Sequence, residues 1–386
     1  MTADLRRLAV GLAGFCAFVN LYAPQSVLPL LARDFGTGAA GASMVITASA
    51  LAVALIAPFT GAAADVLGRK RIIAAAMFAL VVPTVMVALA PSLNALVFWR
   101  FVQGLLLPPI FAVTIAYVGE EWPPAQATGV VGVYMSAAGF GGFSGRFISG
   151  AVADLLDWRS AFLALAVLTL ALAVSVAALL PRERQFRRSE DLRASGRQML
   201  RHLRKPQLLA TYAVGFGVLF TFIATFTYVN FHLAAPPFNL SATALGSIFV
   251  VYLLGTVMTP MTGRLVARFG RRPLVIRIIG VWIAGLLLTL VPSLPVIIAG
   301  LAISAACGFV CQAVSTSLVA VTAGEGRSSA VGLYVTSYYV GGSVGGALPG
   351  LAWNTAGWPG CVAMVTVVLI LIGLIVRRYW TEAAPS

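Results

Sequence analysis

Long apolar stretches separated by short polar breaks run through the whole chain and decide what it can fold into. A membrane-crossing helix needs about 20 consecutive apolar residues, and the breaks divide the 386 residues into twelve such stretches. With 60% hydrophobic and 10% charged residues, the composition excludes a soluble globular protein, for which about 25% charged residues are usual. Because backbone polar groups inside a bilayer must be satisfied within each segment, the sequence predicts an all-α integral membrane protein with twelve transmembrane helices.

The basic residues are distributed unevenly between the loops. Of the 26 Lys and Arg, 22 lie in the two tails and in every second loop, whereas the other loops contain only Arg33 and Arg159. This asymmetry follows the positive-inside rule and predicts that both termini are cytoplasmic. Contact with anionic membrane lipids explains the net charge of +14, so we expect lipids, and no nucleic acid, as partners.

One long polar segment separates six spans from six. Residues 181–207 carry nine Lys or Arg and predict a basic cytoplasmic linker between an N-terminal bundle, residues 1–180, and a C-terminal bundle, residues 208–386. The two halves are related, because a shift of 200 residues aligns residues 132–150 with 332–350 at five glycines and a tyrosine and places Trp158 on Trp358. This repeat predicts two pseudo-symmetric six-helix bundles that rock about a midplane site.

The loop after the second span contains an ordered set of Gly, acidic and basic residues. It reads GAAADVLGRK, with Gly61, Asp65, Gly68, Arg69 and Lys70 at the defined positions. Gly61 permits close helix contact, Gly68 permits a tight turn, and Asp65 can face a helix N-terminus or a basic side chain. In this place the motif resembles the G-x-x-x-D-x-x-G-R-[RK] signature of the major facilitator superfamily, matched at every defined position.

The resemblance implies that this loop acts as a cytoplasmic latch. Asp65 is expected to contact the start of the eleventh span near residues 328–331 when the inside is closed. The basic cluster at Arg69 is expected to reach Glu120 or Glu121 after the fourth span. Alternatively, the basic residues only fix the topology. A second copy of the motif, at residues 263–273, lacks the acidic residue.

Two arginines lie inside spans, where each costs about 2.5 to 3.5 kcal/mol on insertion scales and is expected to face an aqueous cavity or a partner. Arg100 begins an R-x-x-Q-G sequence with Gln103 and Gly104, similar to the fourth-span motif of proton-antiporter branches, where the arginine is linked to proton coupling. Arg146 lies in a Gly-rich stretch that resembles the antiporters' fifth span but lacks their Gly-Pro pair. All twelve Asp and Glu can be placed in loops, tails or span ends, so a cavity with these arginines favours neutral or anionic solutes.

Two further residues are candidates for carrying the proton, and a set of polar and aromatic residues for binding the substrate. Asp34 ends the first span, where it could titrate together with Arg100 or Arg146, and His232 near the end of the seventh span has a suitable intrinsic pKa. Each is equally explained as a solvated boundary residue. Spans one, four, seven and ten line the cavity in the resembled family. Besides Arg100, the substrate candidates are Asn20, Tyr22, Gln25, Gln103, Phe220, Tyr228, Asn230 and Gln312, with Tyr334 and Tyr338 on the eleventh span.

The sequence contains no pattern typical of an enzyme or a metal site. Four cysteines, at positions 16, 307, 311 and 361, lie in predicted spans without accompanying His residues, which favours packing. There is no Ser-His-Asp constellation and no Walker phosphate loop. We therefore expect no catalysis, no cofactor and no metal.

The chain as a whole resembles bacterial inner-membrane exporters of sugars and small drug-like compounds. This resemblance predicts a monomeric secondary transporter of the inner membrane that exports a neutral or anionic small molecule, driven by inward proton flow. Two alternatives remain. One is an importer or facilitator that binds an organic anion through Arg100 and Arg146, and the other is a non-transporting receptor or scaffold built on the same fold.

Overall fold

The computed structural model describes residues 3–183, 199–324 and 327–381, and all regular secondary structure in these ranges is helical. Apolar runs bounded by Gly, Pro and Ser form the helices, as expected where no water can satisfy an open backbone. The helices are α1 (Ala3–Leu21), α2 (Leu28–Asp34), α3 (Ala39–Leu67), α4 (Arg69–Ala88), α5 (Leu93–Glu121), α6 (Pro124–Leu155), α7 (Trp158–Leu179), α8 (Pro206–Ala234), α9 (Ala242–Ile248), α10 (Leu254–Phe269), α11 (Arg271–Leu288), α12 (Leu294–Thr322), α13 (Arg327–Ala347) and α14 (Pro349–Tyr379).

Helices α1 to α14 form twelve segments, because α1 and α2 make one segment and α9 and α10 another, and a further short helical stretch lies at residues 199–202. Nine of the twelve are long and apolar enough to cross a membrane. The remaining three, α6, α11 and α13, have 32, 18 and 21 residues, and their Gly, Ser or Arg content lowers their hydropathy. The predicted all-α membrane fold is confirmed.

The first segment is interrupted in its middle. Helix α1 ends at Leu21, and a short 3-10 helix, Ala23–Val27, with Pro24 at its start leads into α2. Proline has no amide hydrogen and cannot continue the i to i−4 hydrogen bonds of an α-helix. The last carbonyl groups of α1 therefore need hydrogen-bond donors from elsewhere in the molecule.

The chain divides into two compact units, one formed by Met1–Glu190 with Leu233–Phe249 and the other by Asp191–His232 with Val250–Ser386. Residues 233–249 thus group with the first unit, and the division at residues 181–207 stays a prediction from the sequence. In that unit the carboxylate of Asp154 on α6 accepts hydrogen bonds from the backbone N–H groups of Ala242 and Thr243, at 3.1 and 2.7 Å. These bonds satisfy free donors at the start of α9 and hold it on α6.

The 200-residue repeat recurs in the packing inside each unit. In the first unit α6 lies so close to α1 that a methyl group added to Gly145 would overlap the backbone carbonyl of Val19. In the second unit α13 lies equally close to α8, and a methyl group added to Gly345 would overlap the carbonyl of Phe220. Both contacts need a residue without Cβ, as in other close helix pairs in membranes.

The aligned tyrosines make the same contact in each unit. The ring of Tyr134 covers Gly14 in the first unit, and the ring of Tyr334 covers Gly215 in the second. Both tyrosines are buried. The residues that match between the halves therefore occupy equivalent positions in two similarly packed bundles.

Candidate functional site

The guanidinium of Arg100 on α5 is fully buried in the first unit. Arginine has five N–H donors and no acceptor, and each of the five has a hydrogen-bond acceptor here. The acceptors are the carbonyls of Val45 (3.3 Å), Asn20 (3.0 Å) and Leu21 (2.5 Å), Ser49 Oγ (2.9 Å) and Gln103 Oε1 (2.7 Å).

The partners of Arg100 are neutral groups rather than a carboxylate. The carbonyls of Asn20 and Leu21 belong to the last turn of α1, where unpaired carbonyls carry partial negative charge. Arg100 thus supplies the donors that the break in the first segment requires. Arg100 was expected to face either a cavity or a partner. Its exposed fraction is 0%, so in this conformation it is buried against partners.

Two predicted substrate ligands belong to the same buried network. Gln103 Nε2 donates to Thr84 Oγ1 at 2.7 Å, and Asn20 Nδ2 donates to Thr169 Oγ1 at 2.9 Å. Thr84 Oγ1 in turn lies 3.4 Å from Asn20 Oδ1. These bonds join α1, α4, α5 and α7. The two threonines were not singled out from the sequence, and their only signal was a hydroxyl in an otherwise apolar span.

Arg146 on α6 forms a second buried cationic centre in the first unit. Its Nε donates to Gln25 Oε1 at 2.7 Å, and its Nη1 donates to the carbonyl of Gly142 at 2.6 Å. The guanidinium carbon lies 4.7 Å from the ring centroid of Tyr22 and 4.2 Å from that of Phe249. Aromatic faces stabilise a desolvated cation electrostatically. Gln25 and Tyr22, predicted as substrate ligands, therefore enclose this arginine.

The two proton-carrier candidates each contact one of the repeated tryptophans. Asp34 is exposed at the end of α2 and accepts a hydrogen bond from Trp158 Nε1 at 2.6 Å. His232 stacks on the ring of Trp358, with centroids 5.9 Å apart and an interplanar angle of 14°. The described partner of Asp34 is thus an indole, whereas the sequence had suggested Arg100 or Arg146.

The other substrate candidates fall into two groups by burial. Phe220, Tyr228, Asn230 and Tyr334 are at most 3% exposed. Tyr228 donates to the carbonyl of Gly346 at 2.8 Å, and Asn230 Nδ2 donates to the carbonyl of Phe226 at 2.6 Å. The candidates that remain half-buried are Tyr22, Gln312 and Tyr338.

Each unit also contains an aromatic cluster that was not predicted from the sequence. In the first unit the ring of Phe18 lies 6.3 Å from that of Tyr22 and 6.0 Å from that of Phe111. The i, i+4 spacing of Phe18 and Tyr22 on one helix face is the signal that could have identified this cluster.

In the second unit Tyr252 lies 4.6 Å from Phe226 and 5.7 Å from Phe309, both in edge-on geometry. Phe222 completes this cluster at 5.1 Å from Phe309. Tyr252 and Phe309 are half-buried, so part of each ring can contact a ligand. The rings come from three different helical segments, which sequence spacing alone does not bring together.

The structure describes part of the loop motif at residues 61–70. Arg69 and Glu120 form a two-point ion pair, with Nη2–Oε1 at 2.7 Å and Nε–Oε2 at 3.1 Å. Glu121 lies 3.6 Å from Arg6. The backbone N–H of Lys70 donates to Glu183.

The expected latch contact lies outside the described residues. The structure gives no placement for the side chain of Asp65, for the surroundings of Gly61, or for the side chains of residues 325–328. The contact between Asp65 and the start of the eleventh span stays a prediction.

Two related helical bundles, with buried arginines and with aromatic rings left half-accessible, define a polytopic membrane transporter. The sequence profile of the Major Facilitator Superfamily matches residues 10–236 and 223–386. The chain belongs to this family, and its function is transport rather than catalysis.

Relatives of the chain are bacterial transporters. It is 33% identical over 375 residues to the inner membrane transport protein YnfM of Escherichia coli (strain K12), which covers 96% of this chain and 89% of YnfM. It is 31% identical over 360 residues to the uncharacterized MFS-type transporter YybF of Bacillus subtilis (strain 168), with coverages of 93% and 89%.

Solved structures of two transporters share the fold. The nucleoside transporter NupG superposes with a TM-score of 0.81 at 14% identity, over 97% of this chain and 100% of that chain. A bacterial homologue of the human lysosomal transporter Spinster superposes with a TM-score of 0.78 at 16% identity, over 99% and 100%.

Proposed function

We propose that this transporter exports a neutral, aromatic or lipophilic small molecule across the bacterial inner membrane, driven by inward proton flow, with both termini in the cytoplasm. The observation that carries the proposal is the contrast between the charged and the uncharged candidate groups. Arg100 and Arg146 are 0% and 1% exposed and bonded to other groups, whereas Tyr22, Tyr252 and Phe309 keep part of their surface accessible. A substrate therefore meets aromatic faces rather than guanidinium groups.

The same contrast argues against the organic-anion alternative. A guanidinium that binds a carboxylate or phosphate offers it two free N–H groups in a fork. All five N–H groups of Arg100 already have acceptors inside the first unit. Releasing them to an anion would leave buried carbonyls unsatisfied, at about 1 to 3 kcal/mol each.

Asp34 is the proposed proton carrier. It is the exposed acid at the end of the interrupted first segment, and the indole of Trp158 donates to its carboxylate. A carboxylate accepts this bond with both charge and geometry in its favour, whereas the protonated acid accepts it more weakly. Protonation from the outside would loosen the contact between α2 and α7 and so link proton entry to rearrangement of the first unit.

Flux into everted membrane vesicles tests the proposal. We expect a neutral lipophilic dye to accumulate when a pH gradient is imposed, and an ionophore that collapses the gradient to abolish the accumulation. Asp34→Asn keeps an acceptor for Trp158 and cannot carry a proton, so it should lose gradient-driven accumulation. The matched control is Asp157→Asn, which replaces another acid, next to Trp158 at the start of α7. This variant should retain gradient-driven accumulation.

Three results would contradict the proposal in different ways. Flux that is unchanged when the pH gradient is collapsed indicates a facilitator. Accumulation of an organic anion in place of the neutral dye indicates the organic-anion alternative. No flux of any compound, with the protein folded and inserted, indicates a receptor or scaffold.

A further inference from the structure

The described part of the second unit contains a concentration of positive charge. Its described residues, 199–232, 250–324 and 327–381, include no Asp or Glu. Five arginines fall at the adjoining ends of α10 and α11, at positions 264, 268, 271, 272 and 277. Within these described ranges no carboxylate accompanies them, so an anion from another molecule can supply their counter-charge.

Two of these arginines line a groove at the start of α11. The groove has a volume of about 390 Å³ and is lined by Arg272, Pro273, Ile276 and Arg277. Arg272 is half-buried and Arg277 is exposed. The guanidinium carbon of Arg277 lies 5.1 Å from the ring centroid of Phe269, which holds this charge at the end of the helix.

The helix face that carries Arg277 continues as an exposed apolar strip. Val281, Ala284 and Leu288 follow at i+4, i+7 and i+11, and all three are exposed. In a membrane protein such a strip faces lipid acyl chains. At 1.5 Å per residue, Arg277 lies about 9 Å from the start of α11, which a long side chain spans by extending toward the headgroup layer.

We propose that this groove is a binding site for one anionic phospholipid. Arg272 and Arg277 hold the anionic phosphate, and the acyl chains lie along the strip from Ile276 to Leu288. An anionic lipid supplies counter-charge to the two arginines, whereas a zwitterionic lipid brings its own cation. The apolar strip favours a lipid over a free phosphate ion, because only the lipid has chains to bury against it.

Native mass spectrometry of the delipidated full-length protein in neutral detergent tests this site. The protein is titrated separately with phosphatidylglycerol, with phosphatidylcholine of the same chains, and with inorganic phosphate. Each basic residue near a membrane surface contributes about 1 kcal/mol toward an anionic lipid, so two predict roughly 10- to 30-fold tighter binding of phosphatidylglycerol than of phosphatidylcholine. Inorganic phosphate should give no bound species at the same concentration.

Matched variants locate the site. Arg272→Ala with Arg277→Ala should reduce phosphatidylglycerol binding to the level of phosphatidylcholine. Arg377→Ala with Arg378→Ala removes two exposed charges from the end of α14 and should leave the preference intact. If the alanine pair does not fold, Arg272→Gln with Arg277→Gln keeps the side-chain length and should give the same loss.

Some outcomes would overturn the inference. Equal loss in both pairs would mean a general surface charge effect, and an unchanged preference in the Arg272 and Arg277 pair would place the lipid elsewhere. Phosphate binding as tight as lipid binding would assign the groove to a free anion. None of these measurements depends on transport, so the site and the proposed function can fail separately.

Discussion

Arg100 Nη1 donates to the backbone carbonyl of Asn20 over 3.0 Å, and this bond ties the fourth span to the break in the first. The carbonyls at that break have no helical N–H to accept from, because the 3-10 helix with Pro24 follows. A buried cation without a carboxylate is usually costly. Here the cost is offset because carbonyl dipoles at a helix C-terminus surround the charge.

Replacing Arg100 should therefore lower the stability of the protein through the lost hydrogen bonds, and not only through the lost charge. Arg100→Ala leaves the carbonyls of Asn20 and Leu21 without donors, and we expect a loss of about 3 kcal/mol in the free energy of unfolding. Arg100→Lys keeps the charge but offers three donors in place of five, so it should still lower the unfolding temperature and transport. Thermal unfolding in detergent and vesicle flux measure the two effects.

Arg159→Lys is the control for this substitution. Arg159 also donates to two backbone carbonyls of the first unit, those of Ala88 and Ala90, through a single nitrogen that a lysine can replace. We expect it to behave like the wild type. A fully active and stable Arg100→Lys protein would show instead that only the charge at this position matters.

The repeated glycines provide a second prediction with internal controls. A Cβ at Gly145 or Gly345 overlaps a backbone carbonyl of the neighbouring helix, whereas a Cβ at Gly132 or Gly332 meets nothing within 4 Å. Gly145→Ala and Gly345→Ala should each destabilise by about 1 to 3 kcal/mol through overpacking. Gly132→Ala and Gly332→Ala should be neutral or stabilise by up to about 1 kcal/mol through helix propensity.

Unfolding temperatures of the four variants measure the difference. Each pair lies on one helix and is aligned by the same 200-residue shift, so propensity is matched and only the contact differs. Equal effects at all four positions would contradict close glycine packing in both units.

The sequence predicted the fold better than it predicted the roles of individual side chains. Span length, the loop motif and the spacing of the repeat are local or periodic features, so the sequence alone is enough to detect them. Asn20 and Gln103 were assigned to the substrate because they are polar in apolar spans. A polar residue in a span either lines a cavity or pairs with another helix, and the pairing partners Thr84 and Thr169 lie on other spans at distances that no sequence pattern encodes.

Backbone groups were the other source of missed contacts. Arg100 was expected to have a partner, but three of its five acceptors are backbone carbonyls, and two of these three lie at the helix break. Every residue has a carbonyl, so its availability depends on the fold alone. The contact of Trp158 with Asp34 was hidden for a similar reason, because an indole N–H has no fixed partner type.

The carboxylate of Asp157 should make the stability of the start of α7 depend on pH. Its carboxylate caps the helix by accepting from the backbone N–H of Ser160 at 2.6 Å, and this hydrogen bond, with smaller contributions from Arg159, lowers the pKa of Asp157 below its ordinary value. A group with a lowered folded-state pKa contributes stability above its unfolded pKa of about 3.9 and loses that contribution as pH falls through the folded value.

The variants separate charge from capping. Asp157→Asn should match the wild type near neutral pH, because Asn is an equally good cap, and should lack the additional loss of stability below about pH 4. Asp157→Ala should cost about 1 kcal/mol at neutral pH. Hydrogen exchange of the first turn of α7 between pH 3 and 7 measures both. An identical pH response in wild type and Asp157→Asn would show that the carboxylate does not act as this cap.

Glu183, at the start of the central linker, should stabilise the loop motif that lies 115 residues earlier in the chain. Gly68 is the N-cap of α4 and has no side chain to accept from the first turn, so Glu183 accepts from the N–H of Lys70 at 3.3 Å in its place. Gly68 has φ of 91°, and a Cβ there would overlap the Glu183 carboxylate. We expect Glu183→Ala to cost about 1 kcal/mol and Gly68→Ala to cost more, because it displaces the same carboxylate and also strains the backbone.

A double-mutant cycle tests this coupling. The combined Gly68→Ala and Glu183→Ala protein should be more stable than the sum of the single effects predicts, because the Cβ in Gly68→Ala already displaces the capping carboxylate and the second substitution therefore has no cap left to remove. Arg182→Ala, at the exposed neighbouring position, should change nothing. Strict additivity of the two substitutions in thermal unfolding would mean that the linker does not contact the motif, and the cap of α4 would then have to come from solvent.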